Sequence, residues 1–363
     1  MPAVMILADE DFASRERDML SRLEVGLAAD GVRVVHAVPE TLPELLDGRV
    51  FSQAVAYTPR GPLPPLSARA RALAADALQA TPEKTIEIVH VFGRRAWSLA
   101  FEVAGLLSAR LVLEVYSSVL ADALASAHLD GIDDRVIASV PGTGLERRCL
   151  RKLDGRHLRL VRWGVHLDGQ QRSHASMAAG DRPAVLIDGT GEDHEAWLHT
   201  LEALARVRLD GDQPPLMFAD AQAAHRAGLR KVAERLALAE HLSFVPMVEA
   251  RRDPVLEVDA LILPDALHEH RSLVLDAQAN GILIAAATDP VIDELTSEYG
   301  VTQLSTGDHE HWAEELRRVF EDRRLAEERR AQGIEAVEQF HTGPAHVAAV
   351  QTMYEGLLAG KSG

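Results

Sequence analysis

Short apolar runs alternate with amphipathic segments along most of the chain. The first run is AVMILAD (3–9), and apolar residues at a helical period follow over about 15–29, ending at Asp30-Gly31. Runs of the same kind predict further strands at 32–38, 52–58, 86–93, 110–117, 134–140, 158–164, 184–189, 215–220, 242–248, 260–266, 282–287 and 301–305. This alternation is typical of parallel sheets covered by helices.

The helical segments and one aperiodic stretch indicate two domains. Helices are predicted at 67–80, 94–107, 142–153, 193–208, 221–238, about 309–338 and 344–358. A stretch without periodicity, 165–183, is rich in Gly, Ser, Gln and Asp and is the predicted linker. The 363 residues also exceed the roughly 250 to 300 that one core holds. We therefore expect two doubly wound Rossmann-like α/β domains, 1–168 and 182–340, with a cleft between them at the carboxyl ends of the strands.

Composition excludes several functional classes. The formal net charge of −17 argues against a nucleic-acid partner, because a basic surface normally supplies that affinity. The single cysteine, Cys149, excludes an intrachain disulfide framework and fits a reducing compartment. The N-terminus lacks the basic flank of a signal peptide, and no run approaches the roughly 20 apolar residues of a transmembrane helix. The expected location is cytoplasmic.

Candidate chemistry concentrates in LHEHRSLVLDAQANGILIAAATDP (267–290), where a charged, His-rich patch adjoins two apolar runs. A metal site is not predicted, since neighbouring loop side chains rarely converge on one ion and no set of Cys or carboxylate residues completes the spacing. Arg94 and Arg95 directly follow a predicted strand and could bind a phosphate or carboxylate.

Several stretches resemble the glycosyltransferase family 4 group of GT-B enzymes. They are 258–295, 301–322 and 337–358 in the second half, and 86–118 and 133–169 in the first half. The resemblance implies a GT-B fold, with the last helix, in 341–363, crossing back to the first domain. It also implies a nucleotide-sugar donor as co-substrate, no other cofactor and no metal.

The family's signature is Glu, seven residues and Glu, and it aligns here with 268–276 when Ala279-Asn280-Gly281 is the anchor. The resemblance implies that Asp276 binds the ribose hydroxyls and that His268, or Glu269 after a one-residue shift, faces the donor sugar. As a neutral side chain, His268 could donate to a sugar hydroxyl. Arg271 and Ser272 fall in the turn between the two signature positions.

Other ligand positions depart from the family pattern. Where the family has Gly-Arg and then Lys against the donor diphosphate, this chain has Asp188-Gly189-Thr190-Gly191-Glu192-Asp193-His194, so Gly189 and Thr190 are the candidate phosphate contacts. Two hypotheses follow. The first is a retaining, metal-independent glycosyltransferase with an unknown acceptor. The second is a catalytically inactive GT-B homologue that acts as a binding or scaffolding protein, because the departures fall at ligand positions while the fold pattern is kept.

Overall fold

The computed structural model describes residues 2–45, 52–59, 61, 64–82, 84–126, 135–167, 182–207, 213–246, 253–305 and 307–360. The chain divides into two compact units: a first unit of Met1–Gly164 with Gly343–Gly363, and a second unit of Val165–Thr342. Most of the predicted linker, together with the predicted boundary at 168, lies outside the described residues. The predicted boundary at 182 is the first described residue after that gap.

The first unit is built on a parallel sheet whose strands are continuous apolar runs. Every residue of the first strand is buried, which is typical of a parallel sheet covered on both faces. The strands are β1 (Ala3–Ala8), β2 (Arg33–Pro39), β3 (Gln53–Tyr57), β4 (Ile86–Phe92), β5 (Arg110–Glu114), β6 (Val136–Val140) and β7 (Leu158–Leu160). Their order is β3-β2-β1-β4-β5-β6-β7, so the direction of winding reverses between β1 and β4.

The helices of the first unit follow the predicted segments, with one addition. They are α1 (Glu10–Arg15), α2 (Arg17–Ala29), α3 (Leu66–Ala80), α4 (Trp97–Leu107), α5 (Ser118–Ser126), α6 (Thr143–Leu150) and, from the end of the chain, α14 (Gly343–Ala359). The helix predicted over about 15–29 is α2, and the short helix α1 precedes it, separated by Glu16, where the chain leaves helical geometry. The Asp9 carboxylate caps the additional helix α1 by accepting from Phe12 N at 3.0 Å.

The last helix packs inside the first unit. Gly26 of α2 leaves no room for a side chain, because an added Cβ would lie 2.3 Å from Val347 Cγ2. Gln351 Nε2 donates to Asp30 Oδ2 at 2.9 Å. These contacts place α14 with residues that precede it by more than 300 positions in the sequence.

The second unit repeats the same winding. Its strands are β8 (Ala184–Ile187), β9 (Leu216–Asp220), β10 (Leu242–Val245), β11 (Ala260–Leu263), β12 (Leu283–Ala287) and β13 (Thr302–Leu304), in the parallel order β10-β9-β8-β11-β12-β13. Successive residues of a strand enter two different cores. Val185 and Ile187 pack with Trp197 and Trp312 on one face, whereas Leu186 packs on the other.

The helices of the second unit are α7 (His194–Arg206), α8 (Ala221–Arg226), α9 (Leu229–Arg235), α10 (Asp253–Leu256), α11 (Ser272–Ala279), α12 (His309–Glu321) and α13 (Arg323–Phe340). Two predicted long helices are interrupted. The 221–238 segment breaks at Gly228, which has a left-handed φ of 68°. The 309–338 segment breaks at Asp322, whose side chain accepts from Leu325 N and starts a new helix.

Candidate functional site

The candidate site lies at the carboxyl edge of the second sheet, where the winding reverses between β8 and β11. Ligands of doubly wound sheets bind at such a switch point, outside the carboxyl ends of the strands. Gly189 and Thr190 follow β8, residues 264–271 follow β11, and Asp289 follows β12. The sheet order therefore brings together most of the candidate residues of the second half.

Asp265 joins the first two of these loops. Its buried carboxylate accepts a hydrogen bond from Thr190 N, one from Thr190 Oγ1 at 2.9 Å and one from Asp193 N at 3.0 Å. Backbone N–H groups at a switch point are the usual donors to a ligand phosphate. Here a carboxylate of the protein occupies two of them, and the sequence pattern did not identify this residue.

Gly189 is required by this arrangement. An added Cβ would lie 2.4 Å from Asp265 Oδ1 and 3.0 Å from the Asp265 carbonyl oxygen. Gly189 thus lets the loops after β8 and β11 approach each other, and this role does not depend on any contact with a ligand.

A buried arginine lies at the same edge. Arg271 Nη1 is 3.5 Å from Asp188 Oδ2, and both side chains are almost fully buried. Arg271 also occupies the N-cap position of α11. The sequence placed Arg271 in the signature loop but gave no sign that it reaches the residue before Gly189. This guanidinium supplies positive charge at a turn that otherwise carries acidic residues, and Asp188 balances part of it.

His268 lies in a strained part of the loop after β11. Leu267 and His268 both have positive φ angles, 45° and 60°, which residues other than Gly, Asn, Asp and His rarely adopt, so the strain falls mainly on Leu267. Asp289 holds this conformation: its Oδ2 accepts from His268 N at 2.8 Å, and its Oδ1 lies 2.7 Å from His268 Nδ1. Sequence reasoning missed Asp289, which is separated from His268 by 21 residues.

The next histidine anchors the loop from inside. His270 Nδ1 lies 2.9 Å from Glu294 Oε2, and both side chains are buried. Burial disfavours both charged forms, but the ion pair outweighs it, raising the pKa of His270 and lowering the pKa of Glu294. His270 is therefore a structural residue that fixes the loop against the segment after β12.

The remaining signature residues lie along α11. Ser272 is its first residue and is buried, and Glu269 is partly exposed just before it. Asp276 is buried and is the fifth residue of α11, so it lies in the second turn. At this position its carboxylate is too far along the helix to interact strongly with the helix dipole.

The first unit has a similar carboxylate at its own switch point. Asp9 follows β1 and accepts from Arg95 N, in the loop after β4, at 3.0 Å. Burial raises the pKa of Asp9 although the hydrogen bonds from Phe12 N and Arg95 N oppose that shift. The Arg95 guanidinium pairs with Asp11 at 2.8 Å, and Arg94 is exposed. Of the two predicted anion-binding arginines, Arg95 is thus already paired with a carboxylate of the protein.

The described residues show neither a metal centre nor a membrane-spanning helix. Within the ranges given above, no group of three or more His, Cys, Asp and Glu side chains is arranged to hold a metal ion. Across that same part of the chain, no helix has the length and apolar character needed to cross a bilayer.

Comparisons with known proteins give the fold. No protein-family model and no curated protein sequence matches the chain. Among solved structures, sucrose-phosphate synthase from Thermosynechococcus elongatus is similar with a TM-score of 0.75 and 14% identity, over 99% of this chain and 100% of that chain. A glycosyltransferase from Rickettsia africae has a TM-score of 0.73 and 14% identity, over 98% and 99%. Anabaena HepE in complex with UDP has a TM-score of 0.73 and 11% identity, over 98% and 100%, and it has also been solved with UDP-glucose.

At these identities the similarity establishes architecture. Two parallel doubly wound sheets, each with the winding reversed beside its first strand, match these neighbours over almost their whole length. The predicted fold class is confirmed, and the chain has the two-domain α/β GT-B fold.

Proposed function

We propose that this protein binds a nucleotide sugar at the carboxyl edge of the second sheet and transfers the sugar to an acceptor. The observation that carries the proposal is the loop over 264–271. In it, the left-handed Leu267 is followed by His268, whose backbone N–H and ring are held by the buried Asp289, and backbone strain of this kind clusters at functional sites. The UDP and UDP-glucose complexes of HepE, a neighbour of the same fold, support the choice of ligand.

The sequence resemblance supplies the proposed roles of the residues. Asp276 would accept hydrogen bonds from the ribose hydroxyls, and His268, or Glu269, would face the sugar. Arg271 would offset the charge of the diphosphate, together with the start of α11 at Ser272, because the N-terminus of a helix attracts anions. The proposed enzyme is of the retaining, metal-independent kind and cytoplasmic, with the donor as co-substrate and no other cofactor.

A second candidate function is binding without transfer. The observation that favours it is the acidic environment of the β8 turn. Asp265 already accepts from Thr190 N and Asp193 N, and Asp188 already pairs with Arg271. A diphosphate at this turn would meet two carboxylates, and like charges in a buried site repel strongly. An inactive GT-B homologue could keep this arrangement without loss.

Calorimetric titration with UDP, GDP and the corresponding nucleotide sugars, at low salt, tests the proposal. Wild-type protein should bind at least one of them, and Asp276→Ala should weaken that binding. Glu338→Ala is the matched control, because it removes an exposed carboxylate from α13 of the same unit. The same samples are then assayed for release of the nucleoside diphosphate from the sugar donor.

The outcomes separate the two candidates. Binding weakened only by Asp276→Ala, together with release of the diphosphate, supports the transferase. Binding without release over long incubation with an acceptor panel supports the second candidate. Absence of binding for every nucleotide and nucleotide sugar refutes a donor site in the second unit and supports the second candidate, whose carboxylates would repel a diphosphate.

A further inference from the structure

The pair formed by His268 and Asp289 joins a partly exposed ring to a buried carboxylate. The Asp289 side chain is 6% exposed and the His268 side chain is 43% exposed. A buried carboxylate therefore contacts one nitrogen of a ring that is open to solvent. Such a pair fixes the ring from one side and leaves the other side available to a ligand.

The hydrogen bonds of Asp289 settle which nitrogen carries the proton when the ring is neutral. Oδ2 accepts from His268 N at 2.8 Å, and Oδ1 accepts from Val291 N at 2.9 Å. Both oxygens therefore act as acceptors, and Oδ1, which lies 2.7 Å from His268 Nδ1, accepts from that nitrogen as well. Neutral imidazole has one donor and one acceptor nitrogen, so Nδ1 donates and Nε2 is left as the acceptor.

The backbone supports the same orientation. The two consecutive left-handed residues, Leu267 and His268, each cost of order 1 kcal/mol relative to ordinary geometry. The hydrogen bond from His268 N to Asp289 offsets part of that cost and turns the ring toward the carboxylate.

We propose that Asp289 is a positioning residue that holds His268 with Nε2 directed at a hydroxyl of the donor sugar, which donates its hydrogen to that nitrogen. The inference rests on the proposed function. The ligand group is a hydroxyl because a phosphate ionised at neutral pH has only acceptor oxygens, which a neutral acceptor nitrogen does not bind. In this arrangement His268 accepts the hydrogen bond from the sugar, whereas the sequence led us to expect that it donates one.

A purely structural reading of the pair predicts a different mutational pattern. If the ring only ties the loop to Asp289, the nitrogen that matters is Nδ1. Asn places its amide nitrogen where Nδ1 lies and tolerates a left-handed φ, so His268→Asn would then be the mild substitution. Gln reaches the Nε2 position instead, so under our inference His268→Gln retains more of the function than His268→Asn.

The test measures the contribution of the sugar to binding, as the ratio of the Kd for UDP to the Kd for UDP-glucose, on the full-length protein. This ratio cancels any general loss of folded protein. GDP and GDP-mannose replace this probe pair if wild-type protein binds only guanine nucleotides. We expect His268→Asn and Asp289→Asn to lower the ratio roughly three- to tenfold, the value of one neutral hydrogen bond, with the Kd for the bare nucleotide unchanged. His268→Gln should lower it less.

Imidazole nitrogen NMR of ¹⁵N-histidine-labelled protein provides the second readout. The free wild-type protein should show His268 as the Nδ1–H tautomer, and Asp289→Asn should lose that preference. The sugar nucleotide should shift the Nε2 signal, whereas the bare nucleotide should not.

Each failure has its own meaning. An Nε2–H tautomer in the free protein, or a sugar contribution unchanged in His268→Asn, overturns the inference while the donor site stands. Greater loss in His268→Gln than in His268→Asn also overturns it, in favour of the structural reading. If the wild type binds no nucleotide sugar at all, the proposed function fails, and the sugar contact fails with it.

Discussion

Asp265→Ala should destabilise the second unit more than any other single change in the β8 turn. The substitution removes a buried carboxylate that accepts from Thr190 N, Thr190 Oγ1 and Asp193 N. Both backbone donors would be left near the buried edge of the sheet without this acceptor. A donor that loses its buried partner costs about 1 to 3 kcal/mol, more when the partner was charged.

The expected magnitude can be graded within the same turn. Partial access of water to Thr190 and Asp193, which are half-buried, reduces the simple sum, and we expect a loss of about 3 kcal/mol in the free energy of unfolding. Asp265→Asn keeps one acceptor oxygen and should lose about half of that. Asp193→Ala is the matched control. It removes one N-cap bond, to Ala196 N at 3.0 Å, and should lose about 1 kcal/mol.

Native-state hydrogen exchange read by mass spectrometry is the appropriate assay. A chain with two compact units need not unfold in one step, so a single melting temperature would mix the two. Peptides covering 188–193 report on the amides that donate to Asp265, and peptides from β1 serve as an internal reference in the first unit. Equal protection of 188–193 in Asp265→Ala and Asp193→Ala would refute the reasoning, because it would mean that Asp265 does not hold the turn.

Two further predictions concern neighbouring residues. Gly189→Ala should lower the free energy of unfolding by about 1 to 3 kcal/mol, because it forces a methyl group against Asp265 Oδ1. Gly105→Ala, whose added Cβ has nothing within 4 Å, should be neutral or stabilising. Hydrogen exchange of both variants measures the contrast. The pair of His270 and Glu294 should stabilise the second unit most between the two unfolded-state pKa values, 4.5 for Glu and 6.5 for His. The raised pKa of His270 means that its contribution is lost as pH rises through that pKa, and the lowered pKa of Glu294 means that its contribution is lost as pH falls through that pKa. A double-mutant cycle of His270→Gln and Glu294→Gln across pH measures this, and a coupling energy independent of pH would contradict it.

The strands could be predicted from sequence because a parallel strand buried on both faces is an uninterrupted apolar run. AVMILA and LIAAA are fully buried in the structure, and their uninterrupted apolar character alone predicts a strand at each. Helix ends were harder, since they depend on single polar residues. Asp322 reads as one more charge in a mixed run, yet its side chain accepts from Leu325 N and divides the predicted helix in two.

The partners within the site were beyond sequence reasoning for a different reason. Asp265 and Thr190 are 75 residues apart, and Asp289 and His268 are 21 apart. The contacts form because β8, β11 and β12 are adjacent in the sheet, an order that the apolar pattern does not specify. The resemblance placed His268 and Arg271 at a ligand position, but only the folded chain shows which carboxylate each one faces.

At each of the two switch points a buried carboxylate accepts from a backbone amide of the facing loop, and this constrains how a donor could bind. Asp9 follows β1 and accepts from Arg95 N across the first switch point, while Asp265 follows β11 and accepts from Thr190 N across the second. In each unit a buried carboxylate thus occupies backbone donors that a bound phosphate would otherwise use. A donor diphosphate in the second unit would have to use the remaining donors near Arg271 and the first turn of α11, or displace Asp265. Tight binding of UDP to the wild type would therefore favour the α11 route, and binding that strengthens in Asp265→Asn would favour competition between the ligand and the protein's own carboxylate.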